Sequence, residues 1–160
     1  MENFLGREAI LAHWEEFMDD IRALAGEYES MGWDPLVITP GDVTPVSEEP
    51  LQPGLDVLVP DDDFSTIQAW IDEDGREFDR TEVYRQEKQD VVFLLITLFD
   101  EPSDTAILVP LYYHTGAAEA MIEAVEQRGH INVSLRPLSG DESVAFELDS
   151  PGLFLHDTEE

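Results

Sequence analysis

The sequence predicts an α+β fold in two layers, helices over an antiparallel sheet of about five strands, and three observations carry that prediction. Val91 to Phe99, VVFLLITLF, is an apolar run broken only by Thr97, the pattern of a strand buried on both faces. Two more strand-like segments, Glu77–Arg85 and Thr105–Tyr113, flank it through the polar links Gln86–Asp90 and Asp100–Asp104, and links this short join antiparallel neighbours into a three-strand meander. Ahead of them, apolar residues alternate at spacings of four and three over residues 5–31, which predicts a long N-terminal amphipathic helix.

In that helix the stripe is Ile10, Trp14, Phe17, Ile21, Leu24, Tyr28 and Met31, widened by Leu11, Met18 and Ala25, with Glu15, Glu16, Asp19, Asp20, Glu27 and Glu29 opposite. A stripe wider than two positions per heptad suits a helix laid across a sheet; a narrower seam would suit pairing with a second copy. Gly32 sits where a helix-ending glycine belongs. Trp33–Thr39 reads as a short strand, and Pro40-Gly41-Asp42 as a turn. Between residues 40 and 60 lie Pro40, Pro45, Pro50, Pro53 and Pro60, half of the chain's ten prolines, so the expectation here is an extended arm outside any sheet interior, pinned at its end by Leu55, Val57, Leu58 and Val59.

Asp61-Asp62-Asp63 precedes a second helix, Phe64–Glu73, expected to be capped by Asp63 or Ser65, to present Phe64, Ile67, Trp70 and Ile71, and to stop at Asp74-Gly75. After the meander, whose third strand must place Pro110 at a bulge or on a side lacking a partner, comes a helix Thr115–Arg128 with Ala118, Met121, Ile122 and Val125 inward and Gly129 just beyond. Ile131–Leu138 and Ser143–Leu148 then form a hairpin through Ser139–Glu142. Leu153 and Phe154 dock the tail 151–155 and residues 156–160 form an acidic end, completing one expected domain over 1–160 with its α+β core at 61–155.

Charge is the strongest compositional signal. Thirty-seven Asp and Glu face eight Lys and Arg, a net charge of −29, and Lys88 is the one lysine. Disorder is excluded because 42% of residues are apolar, with 3 Trp, 8 Phe and 4 Tyr. Carboxylates punctuate every element instead of gathering on one segment, which points away from a nucleic-acid mimic and toward a surface adapted to concentrated salt, where a Debye length of about 3 Å screens self-repulsion. With no basic cluster, phosphate backbones and anionic lipid repel the chain, so neither nucleic acid nor membrane is an expected partner. No apolar run reaches the roughly 18 residues of a membrane span, and MENFLGREAI lacks the basic start and apolar stretch of a secretory signal, so the expected location is cytoplasmic. The absence of cysteine rules out disulfide and thiolate chemistry.

Chemistry-bearing motifs are few. Neither GxSxG, GxxxxGK[ST] nor GxGxxG occurs, and His13, His114, His130 and His156 share no helical metal-ligand spacing. No catalytic residue, metal ligand or cofactor is therefore expected. Asp61–Asp63 is explained by a helix start, and Arg80 by pairing with acidic neighbours. One candidate ligand site remains, Tyr113, His114, Thr115 and Gly116, where the third meander strand hands over to a helix whose first amides would hold an anion beside a histidine.

The block Tyr28–Val46, YESMGWDPLVITPGDVTPV, with Gly-Trp after a helix and Pro-Gly-Asp-Val after a short strand, resembles a family of uncharacterised haloarchaeal proteins. That resemblance implies a halophilic, cytoplasmic origin and no activity. From Phe64 onward the order helix, three strands, helix, two strands is similar to type III secretion chaperones, an analogy of topology alone. Two function classes follow. A non-enzymatic protein-binding or regulatory module would engage a partner or a second copy through the first helix or a sheet edge, with an exposed apolar patch at Ile10, Phe17 and Leu24 or near Pro110. A small-molecule-binding protein or small enzyme would instead have a concave pocket at the start of the helix at 115–128.

Overall fold

The computed structural model describes residues 6–47, 53–140 and 142–148. The fold is α+β, with a long N-terminal helix α1 (Arg7–Ser30), as the sequence predicts, but its strands divide into two mixed sheets of four. The first sheet contains β1 (Asp34–Val37), β4 (Arg80–Lys88), β5 (Val91–Asp100) and β6 (Thr105–His114) in the order β1-β6-β5-β4. The second contains β2 (Val43–Val46), β3 (Gly54–Val59), β7 (Ile131–Pro137) and β8 (Val144–Leu148) in the order β2-β3-β7-β8. Helix α2 (Asp61–Asp72) and helix α3 (Glu119–Arg128) complete the chain.

Strand β5 explains why two layers were too few. Val92, Leu94, Ile96 and Leu98 point into a core shared with Leu55, Val57 and Val59 of β3, Ile131, Val133 and Leu135 of β7, and the inner faces of α2 and α3. Val91, Phe93, Leu95 and Phe99 point the other way, beneath Ile10, Phe17, Met18 and Ile21 of α1. The doubly apolar run is thus covered by α1 on one side and by the second sheet with its helices on the other. Neighbouring β6 alternates in the same way, Ile107, Val109 and Leu111 inward and Ala106 and Leu108 under α1.

Helix α1 ends as its sequence dictates. Gly32 takes φ +91°, its amide bonds to Glu29 O at 3.0 Å, and the Trp33 amide reaches Tyr28 O at 2.9 Å, a Schellman closure with Trp33 and Tyr28 in ring contact. Because α1 lies on the first sheet, Ile10 and Phe17 of the expected patch are buried, as is Pro110, while Leu24 is half-buried. At the C-terminus of α3, Gly129 at φ +81° donates to Val125 O at 2.9 Å.

The Pro-rich arm needs the largest correction. Residues 43–46 and 54–59 are strands, and β3 is interior to the second sheet, paired antiparallel with β2 and parallel with β7. The prolines are compatible with this because of where they fall. Leu58 N–H donates to Asp42 O, so even-numbered residues of β2 face β3 and the missing N–H of Pro45 falls on the open edge. Pro53 and Pro60 bracket β3 at its two ends. Pro50 lies outside the described residues, as do Asp141 of the expected hairpin turn and the tail residues Leu153 and Phe154. Pro110 behaves as the sequence requires: Ile38 N–H donates to Leu108 O, so even residues of β6 face β1, and β1 has stopped before Pro110 is reached.

Two helix starts also differ. Helix α2 begins at Asp61 with Pro60 as its first flanking residue and no side-chain cap, so Asp61, Asp62 and Asp63 form its first turn. Asp61 reaches out to accept from the amide and hydroxyl of Ser139 at 3.2 and 2.6 Å. Beyond β6, the 3₁₀ turn Gly116–Ala118 intervenes before α3, which starts at Glu119 with no side-chain cap.

Candidate functional site

Strand β1 pairs with β6 only as far as Leu108, after which the chain leaves the first sheet at Ile38 and enters the second at Val43. The departure leaves the last part of β6 without a β1 neighbour, and a cleft of about 360 Å³ opens there. Its walls are Leu11 and Trp14 of α1, Pro40, Gly41, Asp42, Val43 and Pro45 of the crossing segment and β2, Leu111, Tyr112, Tyr113 and His114 of β6, and Ala117.

Each wall is positioned by a local rule. Gly41 N–H donates to Leu58 O at 2.8 Å, and the Asp42 carboxylate accepts the amide of the next residue, Val43, at 3.1 Å. Successive β6 residues point to opposite faces, so Tyr112 and His114 lie on the α1 side while Tyr113 lies in the inner core. Trp14 meets Tyr112 edge-on, centroids 5.4 Å apart at 66°, and Tyr112 meets His114 at 6.3 Å and 76°. Three rings thus stand as successive steep panels. His114 Nδ1 is 3.8 Å from Asp90, and the Thr115 amide donates to Asp90 O at 2.9 Å, anchoring the end of the strand.

Of the expected ligand-binding residues, Tyr113 and His114 line this cleft, whereas Thr115 and Gly116 do not. Thr115 precedes a 3₁₀ turn and makes no capping bond, so the array of α-helical amides that would hold an anion lies further on, at Glu119. Trp14, Tyr112 and Pro40–Val43 were missed because no local pattern links α1 to the Pro-Gly-Asp turn. Arg7 lines a second hollow of about 370 Å³, which shares Leu11, Tyr112 and His114 with the cleft.

Other candidates have structural partners. Arg80 pairs with Glu82 and Glu101 at 2.9 and 2.8 Å and lies 4.0 Å over the Phe99 ring. Arg76 bonds Thr105 at 3.0 Å and lies over Trp70. His13 is half-buried against Phe93, with Nε2 2.9 Å from Gln86 Oε1. On the outer face of the second sheet Arg136 bonds the buried carboxylate of Asp56, and that bond pushes the guanidinium pKa up. Among the described residues no group of three or more His, Asp and Glu is placed to hold a metal ion.

Fold and cleft define an α+β protein with two stacked mixed sheets and a recess where one strand changes sheets. Residues 6–156 match a family described as a family of unknown function (DUF7529), and the chain belongs to that family. No curated protein and no solved structure matches it. No helix among the described residues is long and apolar enough to cross a membrane.

Proposed function

We propose that the protein is a non-enzymatic small-ligand-binding module, acting as one domain in the cytoplasm of a haloarchaeon, with its ligand in the cleft between α1, the Pro40–Pro45 segment and the end of β6. The observation that carries this reading is the cleft itself: a concave recess walled by aromatic and apolar side chains, with Asp42 and His114 as the groups able to orient a guest. Burial of Ile10, Phe17, Met18 and Ile21 against the first sheet favours it over a partner interface through those residues. The halophilic part rests on the −29 charge and single lysine. A fragment panel screened by NMR in molar KCl should perturb Trp14, Tyr112 and His114 together; no hit at these residues overturns the ligand reading. Melting temperature should rise from low salt to molar KCl, and an unchanged value removes the salt adaptation.

One observation favours a second reading, a protein-binding surface. Beside α1, a groove of about 330 Å³ is lined by Phe17, Ile21, Leu24, Tyr84 and Leu95 and rimmed by Glu16 and Asp20, and Tyr84 is 55% exposed on the edge strand β4. If a second copy sits there, light scattering in molar KCl should give a dimer that Tyr84→Ser converts to monomer; a wild-type monomer at every concentration rejects the dimer.

A further inference from the structure

We infer that the cleft takes a small organic cation, a quaternary or alkylated ammonium head group; the inference rests on the small-ligand reading above and narrows it. The argument is one of charge and shape together. Asp42 is the one carboxylate among the lining residues, and neither lysine nor arginine is among them. An anionic guest would meet that carboxylate with no lysine or arginine in the lining to offset it, inside a molecule carrying −29.

The aromatic walls point the same way. A ring face carries negative quadrupole, and a cation over it is attracted the more strongly the further it is desolvated. Trp14, Tyr112 and His114 all line the cleft, Trp14 at 66° to Tyr112 and Tyr112 at 76° to His114, so a guest meets rings of more than one orientation in place of one flat platform. An alkylated ammonium suits such a recess better than a primary one, because its methyl groups also bury against Leu11, Val43, Pro45 and Leu111. A bare metal ion has too few oxygen ligands here, since Asp42 supplies the single carboxylate of the lining.

The test compares choline with 3,3-dimethylbutan-1-ol, its neutral isostere, against the full-length protein at fixed molar KCl, read by indole and imidazole NMR shifts. Choline should shift Trp14 and His114 and bind about tenfold more tightly than the alcohol. Asp42→Asn should abolish that preference while its melting temperature stays within a degree or two of wild type, the side chain being exposed. Equal affinity for choline and the alcohol overturns the cation assignment and leaves the small-ligand reading standing. Binding of neither, with hits elsewhere in the fragment panel at the same residues, also overturns it; an empty panel removes the ligand reading with it. Retained preference in Asp42→Asn overturns the role of the carboxylate.

Discussion

The two sheets have four strands each, yet their central pairs were built from the chain in opposite ways. In the first, β4, β5 and β6 follow one another and pair as antiparallel neighbours, Val91 opposite Lys88 and Asp100 opposite Thr105. In the second, the central pair is β3 with β7, parallel, Leu55 opposite Val133, 78 positions further on. Contacts made through a short turn leave a local pattern, while contacts made across half the chain leave only composition. The comparison teaches that a strand between prolines is invisible to local reading even when it lies at the centre of a core.

The sharpest way to break the second sheet is at Gly54. Its φ is +152°, and a Cβ there would fall 1.9 Å from the backbone oxygen of Asn132, a contact that only separation of β3 from β7 relieves. Gly54→Ala should cost at least about 4 kcal/mol in denaturant unfolding at fixed salt. Leu98→Ala, in the first sheet but facing the shared core, should cost about 3 kcal/mol by leaving a cavity that the surrounding side chains fill only in part. If Gly54→Ala costs less than Leu98→Ala, the close approach of β3 to β7 is not the constraint described here.

Smaller effects sharpen the comparison at the surface. Arg136→Ala strips the partner from Asp56, whose side chain is 7% exposed, but Arg136 itself is 40% exposed, so solvent softens the loss to about 1–2 kcal/mol. Its measurement is the same unfolding curve. Weakest is Asp61, whose bonds from the Ser139 hydroxyl and amide hold its carboxyl below the ordinary value of 3.8. Because the folded-state value is the lower one, the stabilisation is present above 3.8 and fades as pH falls through the folded value. The melting-temperature gap between wild type and Asp61→Asn should therefore close on acidification, and a gap that widens contradicts the assignment.

Legibility followed connectivity. The run Val91–Phe99 was readable as a central strand because every one of its side chains is buried, one face under α1 and the other against the second sheet. What covers the inner side was not readable, because β3 reads as part of a Pro-rich arm and its partner β7 is far along the chain. Tyr113 and His114 stood out as a strand end before a helix, and both line the cleft. Thr115 and Gly116 were chosen on an expected helix start that a 3₁₀ turn displaces. Trp14 was legible only as one more apolar residue of the α1 stripe, since the stripe's period reports a buried face and not what else meets it there.

Pro110 now bears on more than the strand that contains it. A β6 residue without an N–H costs nothing where β1 has already turned away, and the place where β1 turns away is the place where the recess begins. The recess is thus fixed by the route of the backbone and not by the size of the side chains around it. Trp14, Val43 and His114 shape the walls of that space, and its position follows from where β1 ends. For protein engineering, that makes the cleft a socket whose chemistry can be exchanged independently of the fold that holds it open.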